Sequence, residues 1–313
     1  LSYRQVSVSG FPAVALRSAE LEVVAIPSLG AKLSNLRRHR GREWLWRNEQ
    51  IPLAPPDPAA SYVETADSGG WDECFPTVGP CDLPGPNPVH LPDHGELWSA
   101  RWECAVYESQ AGTVFTARAN GTFLPCEFLR ELTLDSTDPV IRFRYRLRHL
   151  GDRSFPWLWS AHPLFNVQPG TTLEVPGLRQ VKVDSARGRS EAPNAVIPWP
   201  LDGGESFRFP EPGGWAMKVF GDAAEAGRAI LTDQRAGERL ELVVPPGQVP
   251  QLGMWINCGG WAPAGKTPYY NLGLEPCIGA PDRLDRAVEE WHSAATLAPG
   301  ETREWGFEVW LPG

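Results

Sequence analysis

In Val140-Ile141-Arg142-Phe143-Arg144-Tyr145-Arg146-Leu147-Arg148-His149-Leu150, the apolar Ile141, Phe143, Tyr145 and Leu147 alternate with Arg142, Arg144, Arg146 and Arg148. Successive side chains of an extended chain leave on opposite faces, so a period of two predicts a strand with one buried and one wet face. A wet face is the habit of antiparallel sheets, because parallel ones are covered on both sides. The arginine stripe is therefore read as the solvated side of a sheet and not as a seat for an anion.

Outward from this strand the pattern persists. Glu20–Ile26, Thr113–Ala119, Phe128–Leu134, Leu240–Val244 and Trp305–Leu311 are alternating, β-branched or aromatic, and turn pairs such as Pro246-Gly247 and Pro299-Gly300 end or separate them. Only Arg283–Thr296 offers any helical periodicity. Many strands, scarcely a helix, no repeat and no compositional break predict an all-β protein, one large antiparallel β-sandwich formed by residues 1–313. The proline-rich stretches Pro52–Pro58 and Pro80–Pro92 are predicted to be long loops, of a length that makes function a fair suspicion.

Composition narrows the class. In 313 residues, 42% hydrophobic and 21% charged side chains provide a real core and argue against disorder. A net charge of −9 without a Lys/Arg block disfavours nucleic acid. No apolar run approaches the ~20 residues that span a bilayer. Leu1-Ser2-Tyr3-Arg4-Gln5 carries no signal-peptide apolar region and no initiator Met. Cys74, Cys81, Cys104, Cys126, Cys258 and Cys277 form no C-x-x-C pair. They read as reduced, buried thiols, which predicts a cytoplasmic protein.

Three segments combine titratable side chains with turns: Leu91-Pro92-Asp93-His94-Gly95-Glu96-Leu97-Trp98, Trp159-Ser160-Ala161-His162-Pro163-Leu164-Phe165-Asn166, and Asn271–Asp282 around Glu275. His is the side chain suited to proton transfer near neutrality, and Glu can oppose it when burial tunes it. Fourteen tryptophans are a heavy load. Trp71, Trp98, Trp157, Trp159, Trp255 and Trp261 sit beside polar or turn residues, where an indole can stack on a sugar face or simply pack the core. The histidines have no i, i+4 or H-x-H spacing, so no metal site is expected. No G-x-S-x-G elbow and no phosphate-cradling glycine loop is present, so no nucleotide cofactor is expected either. A carboxylate pair of the glycosidase kind, Asp72-Glu73 or Asp184 facing Glu275, stays open.

Ile26-Pro27-Ser28-Leu29-Gly30-Ala31-Lys32-Leu33, then Trp44-Leu45-Trp46, then Gly69-Gly70-Trp71-Asp72-Glu73-Cys74-Phe75-Pro76 with Gly79-Pro80, form an ordered series. It continues with His94-Gly95, Ala161-His162-Pro163-Leu164-Phe165, Gly177-Leu178 before Asp184, and Leu274-Glu275-Pro276. Together these resemble the aldose 1-epimerase (mutarotase) superfamily along most of the chain. The resemblance implies a β-sandwich of the galactose-mutarotase type with sugar bound on one sheet. It implies Glu275 as general base, His162 as general acid, His94 as the second active-site histidine and Asp184 as a carboxylate for sugar hydroxyls. No cofactor is implied; the partner is a small sugar. Asp72 and Glu73 on their glycine-rich loop, and Trp255 as an aromatic wall, are added candidates for sugar binding. The branch acting on hexose 6-phosphates carries Arg where this chain has Ser68 and Trp98. That loss of bidentate phosphate clamps predicts an unphosphorylated hexose, with Trp98 as a stacking platform. The rival readings are a sugar-binding or sensing protein without turnover, and a polysaccharide lyase or hydrolase on a related sandwich.

Overall fold

A computed structural model describes residues 2–83, 89–222, 227–245 and 247–313. Two large antiparallel sheets face each other, one of eleven strands and one of nine. The middle of the eleven-stranded sheet runs Lys32–Arg38, Trp71–Cys74, Trp159–Phe165, Tyr270–Ile278, Gln251–Cys258, Trp215–Asp222. The nine-stranded sheet is centred on Thr302–Trp310, Val140–His149 and Cys126–Asp135. All-β architecture is thus observed. The strands expected at Glu20, Thr113, Phe128, Leu240 and Trp305 fall at Leu21–Ile26, Gly112–Asn120, Cys126–Asp135, Glu238–Val243 and Thr302–Trp310. The helix expected over Arg283–Thr296 is shorter, Leu284–Glu289. Pro246, and residues 84–88 within the proposed Pro80–Pro92 loop, lie outside the described residues.

The core lies between the sheets and is strongly aromatic. Trp71 stacks on Phe143 with centroids 4.6 Å apart, Phe143 on Phe307 at 4.9 Å, and Tyr145 tilts against Trp159 at 4.6 Å. Trp157 and Trp159 are fully buried here as well. Three of the six tryptophans singled out from the sequence, Trp71, Trp157 and Trp159, therefore pack this core. The arginine stripe faces outward, as its alternation requires. Arg142 pairs with Asp135 and with Glu308 (3.1 Å), and Arg146 lies 3.5 Å from Glu127.

One charged pair crosses the core. Arg130 and Glu73, both wholly buried, meet at 3.1 Å from opposite sheets. Glu73 also accepts hydrogen bonds from Tyr145 Oη (3.0 Å) and Trp159 Nε1 (2.9 Å), and Arg130 donates to the Ala31 carbonyl. Removing one partner leaves the other ion buried and uncompensated. Arg130→Met should lower the unfolding free energy by about 3–5 kcal/mol, seen as a lower urea midpoint at unchanged slope. The double variant with Glu73→Gln should recover part of that loss, and additive losses would contradict the pairing.

Candidate active site

Along Trp159–Phe165 the odd residues Trp159 and Ala161 enter the core, so the even residues Ser160, His162 and Leu164 face the far side of the sheet. The same alternation turns Asp72, Lys218, Trp255 and Glu275 to that side, and Leu272, Leu274, Met217 and Met254 to the core. Pairing brings the polar positions into one row. Ser160 lies opposite Cys277 and Leu164 opposite Gly273, a register that sets His162 beside Glu275. On its other flank His162 lies opposite Asp72, and Glu275 lies opposite Gly253.

A solvent-open cavity of about 170 Å³ sits over this row. His162 Nε2 is 4.0 Å from Glu275 Oε1. Lys218 Nζ donates to Glu275 Oε2 at 2.5 Å and lies 3.2 Å from Asp282, and Ser160 Oγ donates to Glu275 Oε2 at 3.2 Å. Glu275 Oε1 and His162 Nδ1 are buried without a hydrogen-bond partner, so both retain polar capacity for a ligand. Gly273 is needed for space. A Cβ there would come within 2.5 Å of Glu275 Oε1 and 3.1 Å of Trp255 Cβ.

His94 descends on a tight turn. His94 and Gly95 both adopt left-handed backbone, at φ 60° and 69°. A Cβ at position 95 would collide with the Phe75 carbonyl at 2.1 Å, so the His-Gly pair has a steric cause. His94 stacks on Tyr62 (4.1 Å) and stands edge-on to His162 (4.8 Å). Its Nδ1 lies 2.7 Å from Asp93, which accepts from Ser61 Oγ and the Val63 N–H. Burial favours a neutral ring, but Asp93 outweighs it and holds His94 above its ordinary value. Burial, with the positive groups at His94, Lys218 and Lys32, presses His162 well below its ordinary value, so that ring is neutral. The two shifts run in opposite senses, so His94 is the more basic of the two rings.

The candidates divide. Glu275, His162, His94 and Trp255 line the cavity, Trp255 edge-on to Trp261 at 5.7 Å. Asp72 lies behind His162, held by Lys32 and by Tyr62 Oη (2.6 Å). Glu73 points into the core, because adjacent strand residues cannot share a face. Trp98 is 3% exposed, lies edge-on behind Tyr62 and donates from its indole to the Asp93 carbonyl, so it offers no stacking surface. Asp184, at a bulge in its strand, is held by Arg286 of the short helix and does not line the cavity. The sequence reading missed Lys218, Asp67 and Tyr269, which line it, and gave no role to Asn271 and Asp282, the lining residues at the two ends of its Asn271–Asp282 segment. A Lys inside an alternating strand looks like a solvated charge; only cross-strand register brings it to Glu275.

The family model described as aldose 1-epimerase matches residues 12–194. The chain belongs to the aldose 1-epimerase family. That match takes in His94, His162 and Asp184 and stops short of Glu275. The chain resembles a galactose mutarotase related enzyme of Lactobacillus acidophilus (16% identity, 96% of this chain and 97% of that one, TM-score 0.70). It also resembles galactose mutarotase-like proteins of Lactobacillus casei (19%, 96% and 100%, 0.68) and Clostridium acetobutylicum (15%, 99% and 97%, 0.64). These likenesses show the fold. No curated protein matches the sequence. No helix among the described residues is long and apolar enough to cross a membrane.

Burial, reinforced by Asp184 and Glu275 and opposed by Lys218, pushes Asp282 up to about 7. Although burial opposes its charge, Lys218 is held above its ordinary value by Asp282 and Glu275. Its stabilising share is therefore fully present below the unfolded lysine pKa and is lost only as pH rises through the folded one. Lys218→Met should cost about 3 kcal/mol at pH 8, where it leaves two buried carboxylates unpaired. The deficit should narrow as pH falls through about 7, where Asp282 takes a proton. Urea melts at pH 8 and pH 5.5 measure both values, and a pH-independent deficit contradicts the arrangement.

Proposed function

We propose that the chain interconverts the α and β anomers of a free, unphosphorylated hexose by acid–base opening of the ring. The observation that carries this reading is the approach of Glu275 Oε1 and His162 Nε2, 4.0 Å apart on one cavity floor. The anomeric hydroxyl and the ring oxygen of a hemiacetal share one carbon, so two such groups can serve both oxygens at once. Glu275 takes the proton of the anomeric hydroxyl as the C1–ring oxygen bond breaks, and the ring oxygen takes a proton from the His94/His162 pair through His162. Rotation about C1–C2 and closure on the other face reverse both transfers. Positioned acid–base groups contribute roughly 10²–10⁴-fold each.

Lys218 fixes the Glu275 carboxylate by holding Oε2, which leaves Oε1 to the substrate. Trp255 offers a ring for one face of the sugar. Asp67, which burial raises to about 6, and Asp282 are in place for the hydroxyls, the part that the resemblance gave to Asp184. A neutral sugar follows from charge. Among the described residues, Lys218 is the one Lys or Arg lining the cavity, and two carboxylates already engage it. Neither Ser68 nor Trp98 supplies a guanidinium for a phosphate.

Saturation-transfer NMR on glucose and galactose tests the activity. Wild-type protein should speed anomer exchange, while Glu275→Gln and His162→Asn should each lower kcat by about 100-fold or more with little change in sugar affinity. Sugar binding without faster exchange would favour a sensing protein. Glucose should also turn over faster than glucose 6-phosphate; a strong preference for the phosphate contradicts the neutral-sugar assignment.

A further inference from the structure

We infer that Cys74, His94 and His162 form a binding site for a borderline or soft divalent metal ion of the zinc class, in the floor of the cavity. One ligand atom from each residue falls within 4.8 Å of the other two. Sheet register explains the meeting. Cys74 follows Asp72 by two on the same face and pairs with Ser160, two residues before His162. His94 comes down on its turn from the opposite side.

Three features beyond proximity support a metal. Cys74 is a free, fully buried thiol that the proton transfers above do not use. His94 Nδ1 is engaged by Asp93 at 2.7 Å, which leaves Nε2 for a ligand. A carboxylate on the far nitrogen is the usual outer partner of a metal-bound histidine, where it fixes tautomer and ring orientation. His162 is 7% exposed, and its Nδ1 has no hydrogen-bond partner. One thiolate with two imidazoles suits zinc or copper rather than magnesium or calcium, which prefer oxygen donors.

Zinc bonds of about 2.3 Å to sulfur and about 2.0–2.1 Å to nitrogen require the three side chains to draw in by roughly 1 Å. On binding, the Cys74 thiol and the His94 ring release their protons to solvent, and the sulfur and one nitrogen of each ring donate electron pairs to the ion. Three protein ligands leave a fourth tetrahedral position for water. The neighbouring cations do not oppose the ion unopposed themselves, since Lys32 is paired with Asp72 and Lys218 with Glu275 and Asp282.

An ion here occupies the two histidines, so zinc should inhibit anomer exchange reversibly. That consequence rests on the proposed epimerase activity; the binding does not. Calorimetric titration of the whole, reduced protein with zinc chloride should give saturable binding of one ion per chain. Titration with cobalt(II) chloride should give the intense near-ultraviolet absorption of a cobalt–thiolate bond. Cys74→Ser should abolish that absorption, and Asp93→Asn, which leaves all three ligands in place, should weaken zinc binding by about 10–100-fold. No saturable binding, or binding that both variants leave unchanged, overturns the site. Full anomer exchange in zinc-saturated protein overturns the placement on the histidines. Zinc binding with the predicted variant pattern in a protein that exchanges no anomers leaves the metal site standing and removes the epimerase reading.

Discussion

Everything at the cavity depends on the two-residue period of adjacent antiparallel strands. Each strand commits its alternate residues to the aromatic core, and the intervening ones have no choice but the opposite face. Once Trp159 and Leu274 are packed inside, Ser160, His162 and Glu275 must come out together, and register decides that His162 and Glu275 are neighbours. A slip of one residue in Tyr270–Ile278 would put Leu274 or Pro276 in the place of Glu275, and one in Trp159–Phe165 would put Ala161 or Pro163 in the place of His162. The cavity geometry and the hydrophobic core are thus one constraint seen from two sides of a sheet.

Charge balance is the second layer. The cavity floor holds an unusual density of buried ionisable groups, and most are engaged by a partner of opposite sign. Lys32 answers Asp72, Lys218 answers Glu275 and Asp282, and Asp93 answers His94. Such pairs contribute little net stability. Their effect is to fix orientation, so that Glu275 Oε2 is held by Lys218 while Oε1 is left without a partner, and His94 is held by Asp93. Burial first, and then the positive groups at His94, Lys218 and Lys32, lowers His162 while Asp93 raises His94, so two residues with the same side chain differ in basicity.

Fold class was legible in the sequence because its signal is periodic and repeated: the Val140–Leu150 alternation has counterparts at Gly112–Asn120, Cys126–Asp135 and Thr302–Trp310, whereas the cavity strands Trp159–Phe165, Trp215–Asp222, Gln251–Cys258 and Tyr270–Ile278, largely buried on both faces, were not read as strands. Glu275, His162 and His94 were legible through short motifs whose order is distinctive. Trp255 was one of two open readings, and its neighbour Trp261 shares the cavity. Glu73 shows what alternation alone could have corrected, since Asp72 and Glu73 cannot both reach a ligand from one strand. Trp98 and Asp184 failed for another reason. Their placement depends on Tyr62 covering one and Arg286 holding the other, contacts between segments far apart in the chain. Lys218 was invisible for the same cause, because nothing local marks a strand lysine that folds against a distant carboxylate.

A crystal structure of the protein with a bound hexose probes the shared constraint most directly. The account predicts one pyranose over the row, its anomeric oxygen within hydrogen-bond reach of Glu275 Oε1, its ring oxygen toward His162 and one face against Trp255. A sugar seated elsewhere, or one in this cavity with its anomeric carbon turned away from both groups, would contradict it.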